Sequence, residues 1–385
     1  MGLAGVYIHI PFCRSRCSYC DFATDVWRSD DGVEKYVRAL CREIDLFQPI
    51  HGKAPFRSGS ELRPTIDTVY FGGGTPSLLS PKQLESVLAS VRSKFNIDAA
   101  AEITVEMNPA TVTLDSLAAY RELGVDRASF GVQTFDDKAL RLLARGHDAN
   151  DARATFEMLR TAGFGNISFD LIAGLPGQTL EAWERNLDEA IAMSPEHLSL
   201  YLLEIHEGTP LAEQVRSRRQ PQSDAEIAAQ MYELMLDRLA ADGYEQYEIS
   251  NFSRPGHESR HNSKYWTLDP VFGFGVSAHS FDGWQRSANE RDTAKYVSMV
   301  EGSGTAEVYR EDIDAASEFA FLGLRLERGI DLAAYYERFG FDLAAKYRDD
   351  IERLRQDGLV EVADKKIKLT RRGKLYSNEV FAIFV

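Results

Sequence analysis

Three thiols stand close together in Cys13-Arg14-Ser15-Arg16-Cys17-Ser18-Tyr19-Cys20, at the spacing C-x3-C-x2-C. The apolar run Val6-Tyr7-Ile8-His9-Ile10 precedes them and Asp21-Phe22 follows, so a short loop presents all three from the end of a strand. Thiolates select zinc, copper(I) or iron-sulfur clusters. A closed zinc site takes four protein ligands, commonly from paired cysteines, and no second pair is present. Cys41 falls on an amphipathic stretch, where a small buried hydrophobe is the expectation. His9 is available as a fourth zinc ligand but lies inside the strand. Ferredoxin-type clusters take four cysteines, so three cysteines on a [4Fe-4S] cube leave one iron without a protein ligand. An open coordination position marks a metal that binds a small molecule.

The rest of the chain predicts an α/β fold. From residue 6 to about 205 a strand, a loop and a helix alternate six times, with strands expected at 6–10, 68–71, 103–107, 128–132, 167–173 and 198–205. Short apolar strands alternating with helices form parallel sheets with right-handed crossovers. Six units are fewer than the eight of a closed barrel, which leaves an open partial (βα)6 barrel or a doubly wound sheet. Both place ligands at the carboxyl ends of the strands. Residues 1–243 are expected to form this unit, with a surface loop between Pro49 and Pro64. At 244–310 the rhythm breaks into an irregular aromatic and Gly-rich extension. Residues 311–385 predict helices and a hairpin, a smaller winged-helix-like domain expected to act as a lid or docking module.

Composition excludes several classes. A net charge of -15 over 385 residues opposes non-specific binding to nucleic acid or anionic lipid. No apolar run has the length of a membrane span, and the approach to the first strand does not read as a secretory leader, so neither a span nor an export signal is expected. Four cysteines, three of them clustered, do not make a disulfide framework. A reducing cytoplasm is the expected compartment.

Polar groups recur at the predicted strand ends. Gly72-Gly73-Gly74-Thr75-Pro76 ends the second strand, and consecutive glycines suit either a tight turn or the close approach of a ligand to bare backbone. Glu106, Gln133, Arg145 and Asp170 follow or interrupt apolar runs. Buried carboxylates there must be ion-paired, solvated or ligand-bound, and pairing with Arg145 would account for them without a ligand. In His261-Asn262-Ser263-Lys264-Tyr265-Trp266 a histidine stands beside aromatic rings, which suits an axial ligand of a porphyrin or a hydrogen-bonded structural role. His257 and His279 are weaker alternatives. The G-x-G-x-x-A match at 273–278 lacks a following helix and acidic partner, so no nicotinamide site is read there. The wing at 311–385 holds thirteen Lys and Arg against fifteen Asp and Glu, and its basic run at 365–374 is expected to be a solvated face.

The cysteine motif resembles that of the radical S-adenosylmethionine (SAM) superfamily. YIHIPFC, FGGGTPS, EMNP, SFGVQTF, LIAGLPGQT and HNSKYW, in this order over residues 7–266, resemble its oxygen-independent coproporphyrinogen III oxidase branch. The resemblance implies a [4Fe-4S] cluster on Cys13, Cys17 and Cys20, and SAM at the fourth iron. It also implies SAM contacts from Tyr7, Tyr19, Gly73, Gly74, Thr75, Glu106, Gln133, Arg145 and Asp170, on a partial (βα)6 barrel. Two departures separate the chain from the oxidases themselves: Cys20-Asp21-Phe22 replaces a fourth Cys-x-Cys thiol, and the first strand begins at Val6 without a long extension. Both point to the haem-chaperone subgroup, which would bind haem, with His261 as a contact, and pass it to an acceptor protein. That reading assigns no catalytic residue. It requires an electron donor for the cluster and leaves a homodimer open. The alternative is an oxidase that decarboxylates coproporphyrinogen III propionates through a 5'-deoxyadenosyl radical, and a zinc protein with a winged-helix interaction domain is the third reading.

Overall fold

Alternation within each strand sets the architecture. The computed structural model describes residues 2–48 and 63–385, so the loop expected between Pro49 and Pro64 lies largely outside the described residues. Six strands run parallel in chain order: β1 (Ala4–Ile10), β2 (Thr65–Gly73), β3 (Asn96–Met107), β4 (Arg127–Gln133), β5 (Ile167–Ala173) and β6 (His197–Leu202). Val6, Ile8, Val69, Phe71, Ile103, Val105, Ala128, Phe130, Ile167, Phe169, Leu198 and Leu200 join the hydrophobic core. The residues alternating with them include Tyr7, His9, Tyr70, Thr104, Glu106, Arg127, Ser129, Ser168, Asp170, His197 and Ser199. Successive side chains on a strand point to opposite faces, so one face of the sheet is apolar and the other polar.

Helices cover the apolar face. They are α1 (Asp30–Leu46), α2 (Pro81–Lys94), α3 (Leu114–Glu122), α4 (Ala149–Thr161), α5 (Leu180–Met193) and α6 (Ala225–Ala241). Their starts are written locally: Ser80, Thr113 and Asp148 close capping boxes with Gln83, Ser116 and Asp151. The order of these six strands never reverses. Right-handed crossovers then put every helix on the same side, which curls the sheet into an open barrel with a polar lumen and excludes the doubly wound alternative.

The segment after α6 differs from the expectation of irregular structure. It forms β7 (Glu245–Glu248), β8 (Asn251–Ser253), α7 (Arg260–Thr267), β9 (Val271–Phe274), β10 (His279–Phe281), β11 (Gln285–Asn289), α8 (Thr293–Ser303) and β12 (Glu307–Asp312). These strands extend both edges of one sheet, in the order β12-β11-β10-β9-β1-β2-β3-β4-β5-β6-β8-β7. Strands of three to six residues are too short to display a period. Their glycines serve strand packing: a Cβ on Gly273 would lie 2.2 Å from the His279 carbonyl oxygen.

The C-terminal region has its own core around Leu324, Ile330, Tyr335, Leu354 and Ile367. Helices α9 (Ala315–Gly323), α10 (Leu332–Phe339) and α11 (Arg348–Gln356) accompany a sheet of β13 (Ile330–Asp331), β14 (Val360–Ala363) and β15 (Lys366–Leu369). Asp364 and Lys365 both have positive φ, 50° and 62°, as a two-residue hairpin turn requires. The basic run beside it is not wholly solvated. Arg371 pairs with Glu233 and Asp237 on α6, and buried Lys374 pairs with Glu327 and donates to Gln246. The wing is docked on the barrel.

Candidate functional site

The cysteine loop leaves β1 and is closed at its base by parallel pairing of Phe12–Cys13 with Asp25–Val26. It is pinned across the mouth of the barrel: Ser18 N–H donates to the Leu143 carbonyl at 2.9 Å, and Leu211 N–H donates to the Ser18 carbonyl at 2.8 Å. The Thr75 hydroxyl donates to Cys13 Sγ at 3.5 Å, and Arg145 Nη1 donates to Cys17 Sγ at 3.4 Å. Asn108 joins these donors, giving Nδ2–H to Thr75 Oγ1 at 2.8 Å and accepting from Arg145 Nη2 at 2.5 Å. A continuous relay therefore links two of the three sulfurs from beneath. Cys20 is near enough to act electrostatically on Cys13, whose thiol is pushed up by burial while Thr75 and Arg145 oppose the rise.

Most of the expected residues converge on this mouth. Tyr19 lies between Cys17 and Cys20 with its hydroxyl against the Arg145 guanidinium. Gln133 ends β4 with φ of 68°, a conformation uncommon outside glycine and typical of functional strand ends. Glu106 accepts from Tyr70 Oη at 2.7 Å and from Gly73 N–H at 3.0 Å, and burial pushes its carboxyl up to about 7 against those two donors. Asp170 lies in the same lumen; burial raises its carboxyl, while Ser199, Arg127 and Arg145 oppose the rise. Neither carboxylate forms an ion pair with Arg145 within the described residues. The Gly loop is shaped first by the fold. A Cβ on Gly74 would lie 2.6 Å from the Pro11 carbonyl, and one on Gly73 would overlap the His9 ring.

The residues present fit a cluster with SAM. One loop offers three sulfurs, two of them hydrogen bonded as cluster sulfurs commonly are. Among the described residues no group of three His, Cys, Asp or Glu side chains is arranged to hold a single metal ion, and both ring nitrogens of His9 are engaged, by Tyr7 Oη and the Ala23 carbonyl. Arg145 keeps a buried Nε–H without a partner, a donor suited to a carboxylate.

His261 is placed differently from a ligand. It is the second residue of α7 and only 1% exposed. Its Nδ1 is hydrogen bonded to Thr68 Oγ1 at 2.9 Å and its Nε2 to Tyr265 Oη at 3.1 Å, while the ring stacks on Tyr70 at 5.0 Å. Burial, with Lys264 and Arg127, holds its pKa down at about 3, so the ring is neutral. No nitrogen faces open space, which argues against the expected haem ligation and makes His261 an anchor for Tyr265. Sequence reasoning also missed Asn108 and Arg127. Arg127 is 1% exposed, with Nε and Nη1 unpartnered in the lumen. The polar alternation of β4 in Arg127-Ala128-Ser129-Phe130 was the available signal.

Comparison with known proteins agrees with this geometry. The radical SAM superfamily profile matches residues 7–190, and the HemN C-terminal domain profile matches 311–376. A protein of Bacillus subtilis named heme chaperone HemW is 36% identical over 389 residues, covering 100% of this chain and 99% of the relative. One of the same name from Mycobacterium tuberculosis is 34% identical and covers 98% and 93%. The solved structure of the coproporphyrinogen III oxidase HemN of Escherichia coli superposes with a TM-score of 0.84 at 26% identity, over 99% of this chain and 90% of that one. With cysteine loop, open barrel and docked wing matched along its whole length, the chain belongs to the HemW family of radical SAM proteins.

Proposed function

We propose that the protein is a haem chaperone that binds haem and delivers it to an acceptor protein. Cys13, Cys17 and Cys20 hold the [4Fe-4S] cluster. Arg145 and Glu106 receive the carboxylate and ammonium of SAM, with Tyr7, Tyr19, Gly73, Gly74, Thr75, Gln133 and Asp170 around it. When bound, cluster and SAM supply one-electron chemistry, for which an external donor is needed. The chain's own residues orient and shield. Thr75 and Arg145 stabilise negative charge on the sulfurs, Asn108 holds both in place, and an ammonium beside Glu106 would offset the cost of burying that carboxylate. Oxygen-sensitive chemistry of this kind suits the reducing cytoplasm. Among the described residues no helix is long and apolar enough to cross a membrane.

The observation that carries this reading is the full-length likeness to proteins named heme chaperone. A second reading, oxidation of coproporphyrinogen III, is favoured by the superposition on HemN but meets Phe22 where the oxidases carry a further thiol. Anaerobically reconstituted protein given haem is expected to bind it near one to one. The same preparation given coproporphyrinogen III, SAM and a reductant is expected to form no vinyl product, and its formation would assign the chain to the oxidases.

A further inference from the structure

Beside the cysteine loop lies an open cleft of about 330 Å³, within the range of small-molecule sites. Its walls come from the first barrel strand, the end of the cysteine loop and the segment after the barrel: Tyr7 and His9 on β1, Phe22 two residues after Cys20, Tyr265 on α7, His279 at the start of β10, and Arg291. Three of these offer chemistry that the barrel does not use. Phe22 is 67% exposed, a bare aromatic ring on a pinned loop. Arg291 binds the Asp21 carbonyl through Nη2 at 2.9 Å and lies 3.9 Å from the Asp21 carboxylate, leaving other N–H groups toward solvent. His279 is exposed, and its ring has no hydrogen-bond partner among the described residues.

The described histidines are otherwise committed or elsewhere. Both nitrogens of His9, His261 and His197 are engaged. His147 is buried against the Val132 carbonyl, and His206 lies beside Glu204. His257 acts on His197, at the opposite end of β6 from the cluster. Among the described histidines, His279 alone combines an imidazole without a hydrogen-bond partner with the cleft beside the cysteine loop.

Resting on the haem-chaperone reading, we propose that the cargo seats in this cleft, with the His279 imidazole on the iron, Phe22 against the porphyrin face and Arg291 paired with a propionate. A neutral imidazole nitrogen is a common haem ligand, an aromatic ring covers a flat π-surface, and guanidinium recognises carboxylate. Tyr265, fixed by His261, forms part of the wall, so His261 is a positioning residue for the site. A cleft open on one side leaves part of the cargo reachable by an acceptor. Residues 21–23 join it to the cluster loop.

The test is haem titration of the reconstituted holoprotein, followed by Soret absorbance and magnetic circular dichroism, with iron-sulfide content as the control for an intact cluster. His279→Ala is expected to weaken haem binding by at least about tenfold and to abolish the histidine-ligation signature. His279→Met is expected to retain haem with an altered axial-ligand spectrum, and His261→Ala to weaken binding while keeping the wild-type spectral type. A His279→Ala variant that binds with wild-type affinity and spectrum overturns this site and leaves the chaperone reading standing. Wild-type protein that binds no haem overturns the chaperone reading itself, and this site with it.

Discussion

Asn108 donates to Thr75 and accepts from Arg145, so the two groups that reach the sulfurs depend on one amide. Asn108→Ala is expected to cost about 1–2 kcal/mol in denaturant unfolding and to weaken SAM binding measured by calorimetry. Unchanged SAM affinity would leave the relay without a role in binding. Glu43 on α1 accepts from Gly275 N–H at 2.9 Å, Asn289 Nδ2 at 2.6 Å and Tyr296 Oη at 2.7 Å, yet burial pushes its carboxyl up to about 7. An unfolded carboxyl releases its proton near 4.5. Between these values the folded chain holds a proton that the unfolded chain has lost, so stability falls as pH rises through the window. Glu43→Gln is expected to flatten that slope in urea midpoints measured across it, with Glu106 supplying a remaining part. The cysteines and the strand-end carboxylates could be read in the sequence because their residue types are costly without a purpose. Asn108 could not, since asparagine before proline is equally at home in an ordinary turn.

At the level of the element, the Gly loop supports the cysteine loop. Gly74 N–H donates to the Ile10 carbonyl at 2.8 Å and Thr75 N–H to the Phe12 carbonyl at 2.8 Å, so the end of β2 lies directly on the start of the cysteine loop. Gly74→Ala would press a Cβ against rigid backbone at 2.6 Å. We expect it to destabilise by about 1–3 kcal/mol and to lower the iron bound on reconstitution. Gly302→Ala in α8, where a Cβ meets nothing within 4 Å, is the control and is expected to be neutral or stabilising. Equal iron content in both variants would remove the packing argument. The six barrel strands and their helices were legible because each is long enough to carry a pattern. Their alternation, as in Val6-Tyr7-Ile8-His9-Ile10, also encoded the polar lumen, although an apolar run was the coarser description. β8, three residues long, owes its existence to β6, about fifty residues back in the chain, and β10, equally short, to pairing with its neighbour β11.

Across the whole molecule, Arg325 ties the wing to the barrel. Its Nη2 donates to buried Glu248 on β7 at 3.0 Å, and its guanidinium stacks 4.2 Å from the Trp266 ring on α7. Arg325→Ala leaves Glu248 with neutral donors only, so a loss of about 3 kcal/mol is expected, with thermal unfolding splitting into two steps. A single unshifted transition would contradict this docking. Domain order and family landmarks were visible along the sequence, whereas the cleft was not, because its walls come from residues 7, 22, 265, 279 and 291. The central claim is an iron-sulfur cube held by three cysteines, with one iron left for SAM. Its most direct test is electron paramagnetic resonance of the anaerobically reconstituted, reduced protein before and after SAM is added. The account predicts a [4Fe-4S] signal that shifts with SAM and is lost or altered in Cys20→Ser. A protein without that signal, or a signal indifferent to SAM, would contradict it.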